Sequence, residues 1–361
     1  MNTERMVRNL CEMVRIPSES GEEQEFIKYL AGKFTTDLGA VCQIDAYGNL
    51  TAKVEGKNCQ GAEPLFFAMH ADTVKPGKGI VPVIKGNLIC SSGDTILGAD
   101  CKAGIAEFLE AVQSVDRHPP LEIGVTREEE VGMIGAKNFD FTLLMAKKGF
   151  LLDMDAIDTI VIGGPSHMLI DIQIRGKAAH AGMEPEKGVS AIKAAGNAIA
   201  ILRDGRIDHE TTSNLGIIQG GLIRNGVPET VSINAEVRSL QHEKCLALSQ
   251  TMKEVFETAA KAMGATAEVT LNLAYRAMRI PENSPMVTIT KEALESVGIH
   301  PKVKAITGGL ESALYIAQGI ETIPIGNGVK AEHSTQENIS VEDMTTVVKI
   351  IHYLLHHFCS R

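Results

Sequence analysis

The sequence has no tryptophan, and aromatic residues make up only 4% of it. Stacking of sugars or bases on aromatic rings is therefore not expected as its mode of recognition. It also lacks a basic excess. There are 35 Lys and Arg against 45 Asp and Glu, a net charge of −10 and a pI near 5.6. Neither nucleic acid nor an anionic membrane is an expected partner for such a chain. No apolar run approaches the length of a membrane span. The first residues, Met1-Asn2-Thr3-Glu4-Arg5-Met6, lack the apolar core of a signal peptide. Seven cysteines (Cys11, Cys42, Cys59, Cys90, Cys101, Cys245, Cys359) are scattered, odd in number and form no Cys-x-x-Cys. They read as those of a reduced, cytoplasmic protein with neither a disulfide framework nor a thiolate zinc site. Cys42, Cys59 and Cys359 read as structural or incidental.

Hydrophobic residues make up 44% of the 361-residue chain and charged ones 22%, enough for large cores, and the length suggests roughly two domains. Val7, Leu10, Cys11 and Val14 mark one face of a helix over 3–14. Ser20-x-x-Glu23 has the form of a capping box opening a second helix, whose stripe is Ile27, Leu30 and Phe34. Hairpins are expected over 41–54 and 81–90. Buried strands are expected at Pro64–Met69, Leu121–Thr126 and Phe150–Asp153, with helices over 102–115 and near 135–139. Strands alternating with helices predict an α/β fold with a mostly parallel, twisted sheet.

After Gly163-Gly164-Pro165 the pattern changes. Strands at 167–176, 215–219, 230–237 and 266–273, with helices over 188–202 and 243–263, give the order βαββαβ of a ferredoxin-like unit. From 281 the first pattern resumes: helix 286–297, strand 303–306, helix 311–318, strand 321–325 and a last helix over 341–358. One domain is thus inserted in another. The expected boundaries are 1–164 and 276–361 for the outer domain and 165–275 for the insert.

The stretch with the densest chemistry is Arg127-Glu128-Glu129-Glu130, directly after a predicted strand. Three adjacent carboxylates are costly to bury unless a cation neutralises them. His70 and Asp72, Asp100, Glu129 and Glu130, and Asp153 all follow predicted strands, and a parallel sheet brings such loops to one edge. His333 lies near the C-terminus. Imidazoles and carboxylates without thiolates are a donor set suited to zinc, cobalt or manganese. His352, His356 and His357 on the last helix read as surface histidines.

Five segments together resemble one known family: His70-Ala71-Asp72-Thr73-Val74, Leu97-Gly98-Ala99-Asp100-Cys101-Lys102-Ala103-Gly104, Glu129-Glu130-Val131-Gly132, Phe150-Leu151-Leu152-Asp153 and Glu332-His333-Ser334. They resemble the co-catalytic zinc metallopeptidases and deacylases that include peptidase T, aminoacylase-1 and succinyl-diaminopimelate desuccinylase, with the peptidase T-like branch nearest. The resemblance implies a zinc-exopeptidase catalytic domain with a ferredoxin-like lid. It implies two divalent metal ions, with Asp100 bridging them, His70 and Asp153 completing one site, and Glu130 and His333 the other. Asp72 would orient the His70 imidazole. Glu129 would be the general base. A cis Asp100–Cys101 peptide is also implied. Cys101 stands where many members carry an acid, and Lys102 has two readings, substrate binding or a surface position at a helix start.

In the insert, Gly176-Lys177-Ala178-Ala179-His180-Ala181-Gly182 matches the segment whose His reaches a partner's active site in dimeric relatives. Asn225 and Arg238 match residues that hold the oxyanion and the substrate's terminal carboxylate. Gly308-Gly309 matches a loop beside that carboxylate. The resemblance thus implies cleavage of short peptides by an aminopeptidase- or tripeptidase-like enzyme, with a homodimer through the lid or closure within one chain. An N-acyl-amino-acid deacylase on the same fold is the first alternative. A non-catalytic binding protein is the second, and the intact ligand set and Glu129 argue against it.

Overall fold

The computed structural model describes residues 1–359. The chain forms two compact units. The first comprises Met1–Ile162, Ile280–Lys304 and the chain from Leu310 onward; the second comprises Gly163–Arg279 and Ala305–Gly309.

The first unit is built on a six-stranded sheet. In spatial order its strands are Val41–Ile44, Leu50–Val54, Leu121–Thr126, Leu65–His70, Lys148–Met154 and Glu321–Gly326. The first two pairings are antiparallel and the remaining three parallel. The four parallel strands therefore end on one edge. Leu65–His70 and Leu121–Thr126 are buried at every position, as expected for parallel strands covered on both faces. Their register pairs His70 with Thr126, so His70 lies level with the start of the Glu-rich loop. The helix Ala99–Ser114 packs against Thr3–Val14 and Val341–Phe358. Apart from Asp100 it is buried from Ala99 to Val112, which makes it the central helix of this unit. Phe67, Phe108 and Phe150 meet between helix and sheet, with ring centroids 4.9 and 5.7 Å from Phe67.

The second unit is an antiparallel sheet in the order Gly205–Arg206, Thr211–Gly220, Thr230–Ser239, Ser166–Arg175, Thr266–Tyr275. Burial alternates along Ser166–Arg175 and Thr230–Ser239, the signature of a sheet with one covered face. The helices Ala191–Ile201 and His242–Ala262 supply that cover through a separate core around Ile170, Ile172, Val237 and Phe256. Without the short strand Gly205–Arg206, the order along the chain is βαββαβ. No helix among the described residues is long and apolar enough to cross a membrane.

Two sequence expectations are corrected. The Ser20/Glu23 pair is not a capping box. The helix Gln24–Leu38 has no side-chain cap; Ser20 Oγ donates to Asp72 instead (2.7 Å), and Glu23 turns to Arg127. The expectation of no disulfide also fails, because Cys59 and Cys359, 300 residues apart, are bonded. Only the fold brings the end of the last helix onto the loop after Leu50–Val54. The strand Thr159–Gly164 was not anticipated; it ends where the sequence pattern changes.

On the second unit's sheet, Glu236 accepts from His167 Nε2 (2.7 Å) and from Arg238 (3.1 and 3.2 Å). His167 and then Arg238 outweigh burial and lower the Glu236 carboxyl from its ordinary 4.5 to about 2. A carboxyl depressed in the folded state contributes stability that is present above the unfolded value and is lost as pH falls through the folded one. Between pH 5 and 2 the melting temperature of the wild-type chain is thus expected to fall more steeply than that of Glu236→Gln. Parallel melting curves across that window would refute the coupling.

Candidate metal centre

The parallel strand ends deliver the site. His70 is the last residue of Leu65–His70, and Asp153 is the penultimate residue of Lys148–Met154. Asp100 stands in the first turn of the central helix, and His333 in the loop after Glu321–Gly326. Asp100 faces both histidines with different oxygens: Oδ1 is 3.4 Å from His70 Nε2, and Oδ2 is 3.5 Å from His333 Nε2. His70 Nε2 also lies 3.3 Å from Asp153 Oδ1, and His333 Nε2 lies 2.8 Å from Glu130 Oε2. Five side chains thus form two groups of three that share Asp100. The Asp100–Cys101 peptide is cis, as the resemblance implies.

The donors fit divalent cations. Among the described residues, the positively charged partners that Asp100, Glu130 and Asp153 meet are the two histidines, with no lysine or arginine. Burial drives Asp153 up to about 6 against the pull of His70. Burial, then the Asp153 charge, drives Glu129 well above the usual carboxylate range. His333, held by Asp100 and then Glu130, rises to about 10. Asp153 and Glu129 resisting ionisation, opposite imidazoles that resist neutrality, are what a cation site looks like with protons in place of ions. The Nδ1–H of His70 donates to the Asp72 carbonyl oxygen at 3.0 Å, which leaves Nε2 unprotonated and aimed at the acids in the neutral ring.

A second layer fixes the Glu loop. The Asp72 carboxylate lies 3.5 Å from His70 Nδ1, farther than its own carbonyl. It accepts instead from the backbone N–H of Glu129 (2.8 Å) and Glu130 (3.2 Å). Glu23, fully buried, accepts from Arg127 Nε and Nη2 (2.8 and 2.7 Å) and from the N–H of Gly21 and Glu128 (2.7 and 3.2 Å). Arg127 Nη1 also donates to Tyr47 O (2.9 Å), and the Tyr47 hydroxyl donates to Glu128. Glu128 is thus engaged with Tyr47. The loop closes on itself so tightly that a Cβ at Gly135 would lie 2.1 Å from Arg127 O. Among the described residues five non-glycines have positive φ. Four of them, Glu128, Met133, Ala331 and His333, lie in the two loops that carry Glu130 and His333. Such backbone is held only where the surroundings dictate it.

Sequence reasoning missed Glu23, Arg127, Glu311 and Glu337. Glu311 is buried, accepts the Tyr315 hydroxyl (3.0 Å) and is pushed up by burial to about 8; its place beside Gly308-Gly309 was the available signal. Lys102 fits neither of its two readings. It is buried, donates to Met13 O and Ile16 O (3.2 and 2.9 Å), and falls to about 7 through burial. Cys101 Sγ donates to Leu152 O (2.8 Å). The tail histidines do not cluster: His352 Nε2 meets Ala111 O and Ser114 Oγ, whereas His356 pairs with Asp116.

His180, Asn225, Arg238, Gly308 and Gly309 belong to the second unit. His180 bridges to Gly226, and Ala181 N–H donates to Asn225 O (2.9 Å). His180 Nδ1 accepts from the N–H of Gly182 and Met183 (3.2 and 3.1 Å), so the neutral ring carries its proton on Nε2. His180 and Asn225 line a cavity of about 580 Å³ with Leu222, Ile223 and Val227. The Arg238 guanidinium is engaged by Glu236.

Residues 165–264 match the M20 peptidase dimerisation domain. The "uncharacterized protein YqjE" of Bacillus subtilis is 36% identical over 97% of each chain. The crystal structure of aminopeptidase PepT from Bacillus cereus is 39% identical over 99% of each chain, with a TM-score of 0.91. A Staphylococcus aureus tripeptidase is 32% identical over the whole of both chains, with a TM-score of 0.94.

Arg127 and Glu23 have side chains 12% and 0% exposed. Removing one partner of a buried pair typically costs about 3–5 kcal/mol. Arg127→Met is therefore expected to lower the free energy of unfolding by about that much, measured by denaturant titration. A loss below about 1 kcal/mol would class the pair with weak surface bridges.

Proposed function

The chain belongs to the peptidase T-like branch of the M20 peptidases, hydrolases of peptide bonds, and on that footing we propose that it is a dinuclear metal-dependent aminopeptidase or tripeptidase acting on short peptides. The observation that carries this reading is Asp100, which offers one oxygen to each of two His–carboxylate groups. His70, Asp153 and Asp100 would hold one cation, and His333, Glu130 and Asp100 the other. Bound there, two such ions, zinc by preference with cobalt or manganese sharing the ligand set, would lower the pKa of a water and polarise the scissile carbonyl.

The chain's own residues do the rest. Glu129, whose backbone N–H is pegged by Asp72, takes the proton of the attacking water on a carboxylate oxygen. It returns that proton to the nitrogen of the leaving amine. Burial and then the Asp153 charge raise the Glu129 carboxyl, the direction that strengthens it as a proton acceptor. Of the second unit, His180 donates from Nε2 to the developing oxyanion, in a homodimer's partner site or within its own chain. Asn225 shares that role, and Arg238 and the Gly308-Gly309 backbone receive the substrate's terminal carboxylate. The similarity to an aminopeptidase and a tripeptidase favours peptides over N-acyl amino acids. A panel of tripeptides assayed beside N-acetyl and N-succinyl amino acids tests that preference; faster hydrolysis of the acylated amino acids would reverse it in favour of a deacylase.

Two substitutions test the assignments. Glu129→Gln is expected to keep two ions per chain while kcat falls about 10²–10⁴-fold, the usual contribution of a general base; near-wild-type kcat would remove Glu129 from that role. His333→Ala is expected to reduce the metal content, measured by elemental analysis, from two ions to one. Two retained ions would show that His333 is not a ligand.

A further inference from the structure

Glu337 is 2% exposed and lies four residues beyond His333. Its carboxylate crosses to the start of the central helix, more than two hundred residues earlier in the chain. Oε2 accepts the Gly98 N–H at 2.8 Å, and Oε1 accepts those of Ala99 and Asp100 at 2.7 and 3.0 Å. The residue at the head of that helix, Gly98, is in the left-handed region (φ +67°) and supplies no side-chain cap. Three successive N–H groups converge on one carboxylate, an anion-binding concavity of the kind that backbone nests form.

The other end of Glu337 is tied just as firmly. Its own N–H donates to Ser334 O (3.1 Å), and Lys330 and Asn338 exchange backbone hydrogen bonds of 2.8 and 3.0 Å across the base of the loop. Ser334 Oγ donates to Ala331 O (2.7 Å) and accepts from Gln336 N–H (3.2 Å). These bonds brace the loop in which Ala331 and His333 adopt left-handed conformations. One buried side chain thus joins the segment that carries Asp100 to the loop that carries His333.

We propose that Glu337 is a positioning residue of the metal centre: by gripping the Gly98–Asp100 backbone it sets the spacing between Asp100 and His333, so that the occupancy of both cation sites depends on it. The proposal rests on the dinuclear reading above. A helix cap alone would affect stability and leave cation affinity untouched, which separates the two roles.

The test is calorimetric titration of the metal-free, full-length protein with Zn²⁺ alone, for wild type, Glu337→Gln and Glu337→Asp, with thermal melts of the same metal-free samples. Glutamine keeps the shape but can accept with one oxygen only, so at least one N–H loses its partner. Aspartate keeps the charge with a shorter reach. The expected result is two ions bound by the wild type and at least a tenfold loss of affinity at both sites in Glu337→Gln, in line with the roughly 10–100-fold typical of residues that orient metal ligands. Glu337→Asp is expected to lie between the two. Wild-type affinity in the variants, even with a lowered melting temperature, makes Glu337 a helix cap and overturns the proposal. A loss confined to one ion overturns the shared spacing. If Glu337→Gln fails to fold, Glu337→Asp decides by the same criteria. A wild type that binds fewer than two ions refutes the dinuclear reading itself, an outcome distinct from the failure of Glu337 alone.

Discussion

Everything at the parallel sheet edge depends on one electrostatic problem. Asp100, Glu129, Glu130 and Asp153 crowd together, and among the described residues His70 and His333 are the imidazoles that face Asp100, Glu130 and Asp153. Charge gathered in this way without a counterion is unfavourable, and the opposed shifts of Asp153, Glu129 and His333 express that. The fold accepts this because the surrounding backbone leaves those side chains no alternative place. A four-strand parallel array fixes the strand ends, and the buried central helix fixes Asp100.

What keeps the loops in place is a set of carboxylates that face backbone rather than substrate. Asp72 accepts the N–H groups of Glu129 and Glu130, Glu23 accepts that of Glu128 along with the Arg127 guanidinium, and Glu337 accepts those of Gly98, Ala99 and Asp100. Each is a charge-assisted bond in a poorly solvated place, where such bonds are strong and their loss leaves buried donors unsatisfied. The left-handed Glu128 is held in sparsely populated backbone by the Glu23 contact. The outer acids are thus the counterpart of the inner ones: the first group spends its lone pairs on the backbone so that the second can present its own to the centre.

The sequence by itself determined the α/β fold with its βαββαβ insert and the membership of the peptidase T-like branch. Both are written in local order: strand periodicity, the alternation of strands with helices, and short motifs such as His70-Ala71-Asp72 and Glu129-Glu130-Val131-Gly132, whose meaning survives without knowing what they touch. Tertiary structure alone decided the partners of residues whose local pattern suggested something else. Ser20 and Glu23 have the spacing of a helix cap, yet their side chains serve Asp72 and Arg127. Lys102 looks like a surface lysine and is buried beneath the N-terminal helix. Cys59 and Cys359 lie 300 residues apart and are bonded, and Glu337 grips a helix start that precedes it by more than two hundred residues. The physical reason is common to all four. Periodicity and capping signals report interactions within a turn or two of helix or strand, whereas a polar, charged or thiol side chain takes whichever partner the folded chain places beside it, at any separation in sequence.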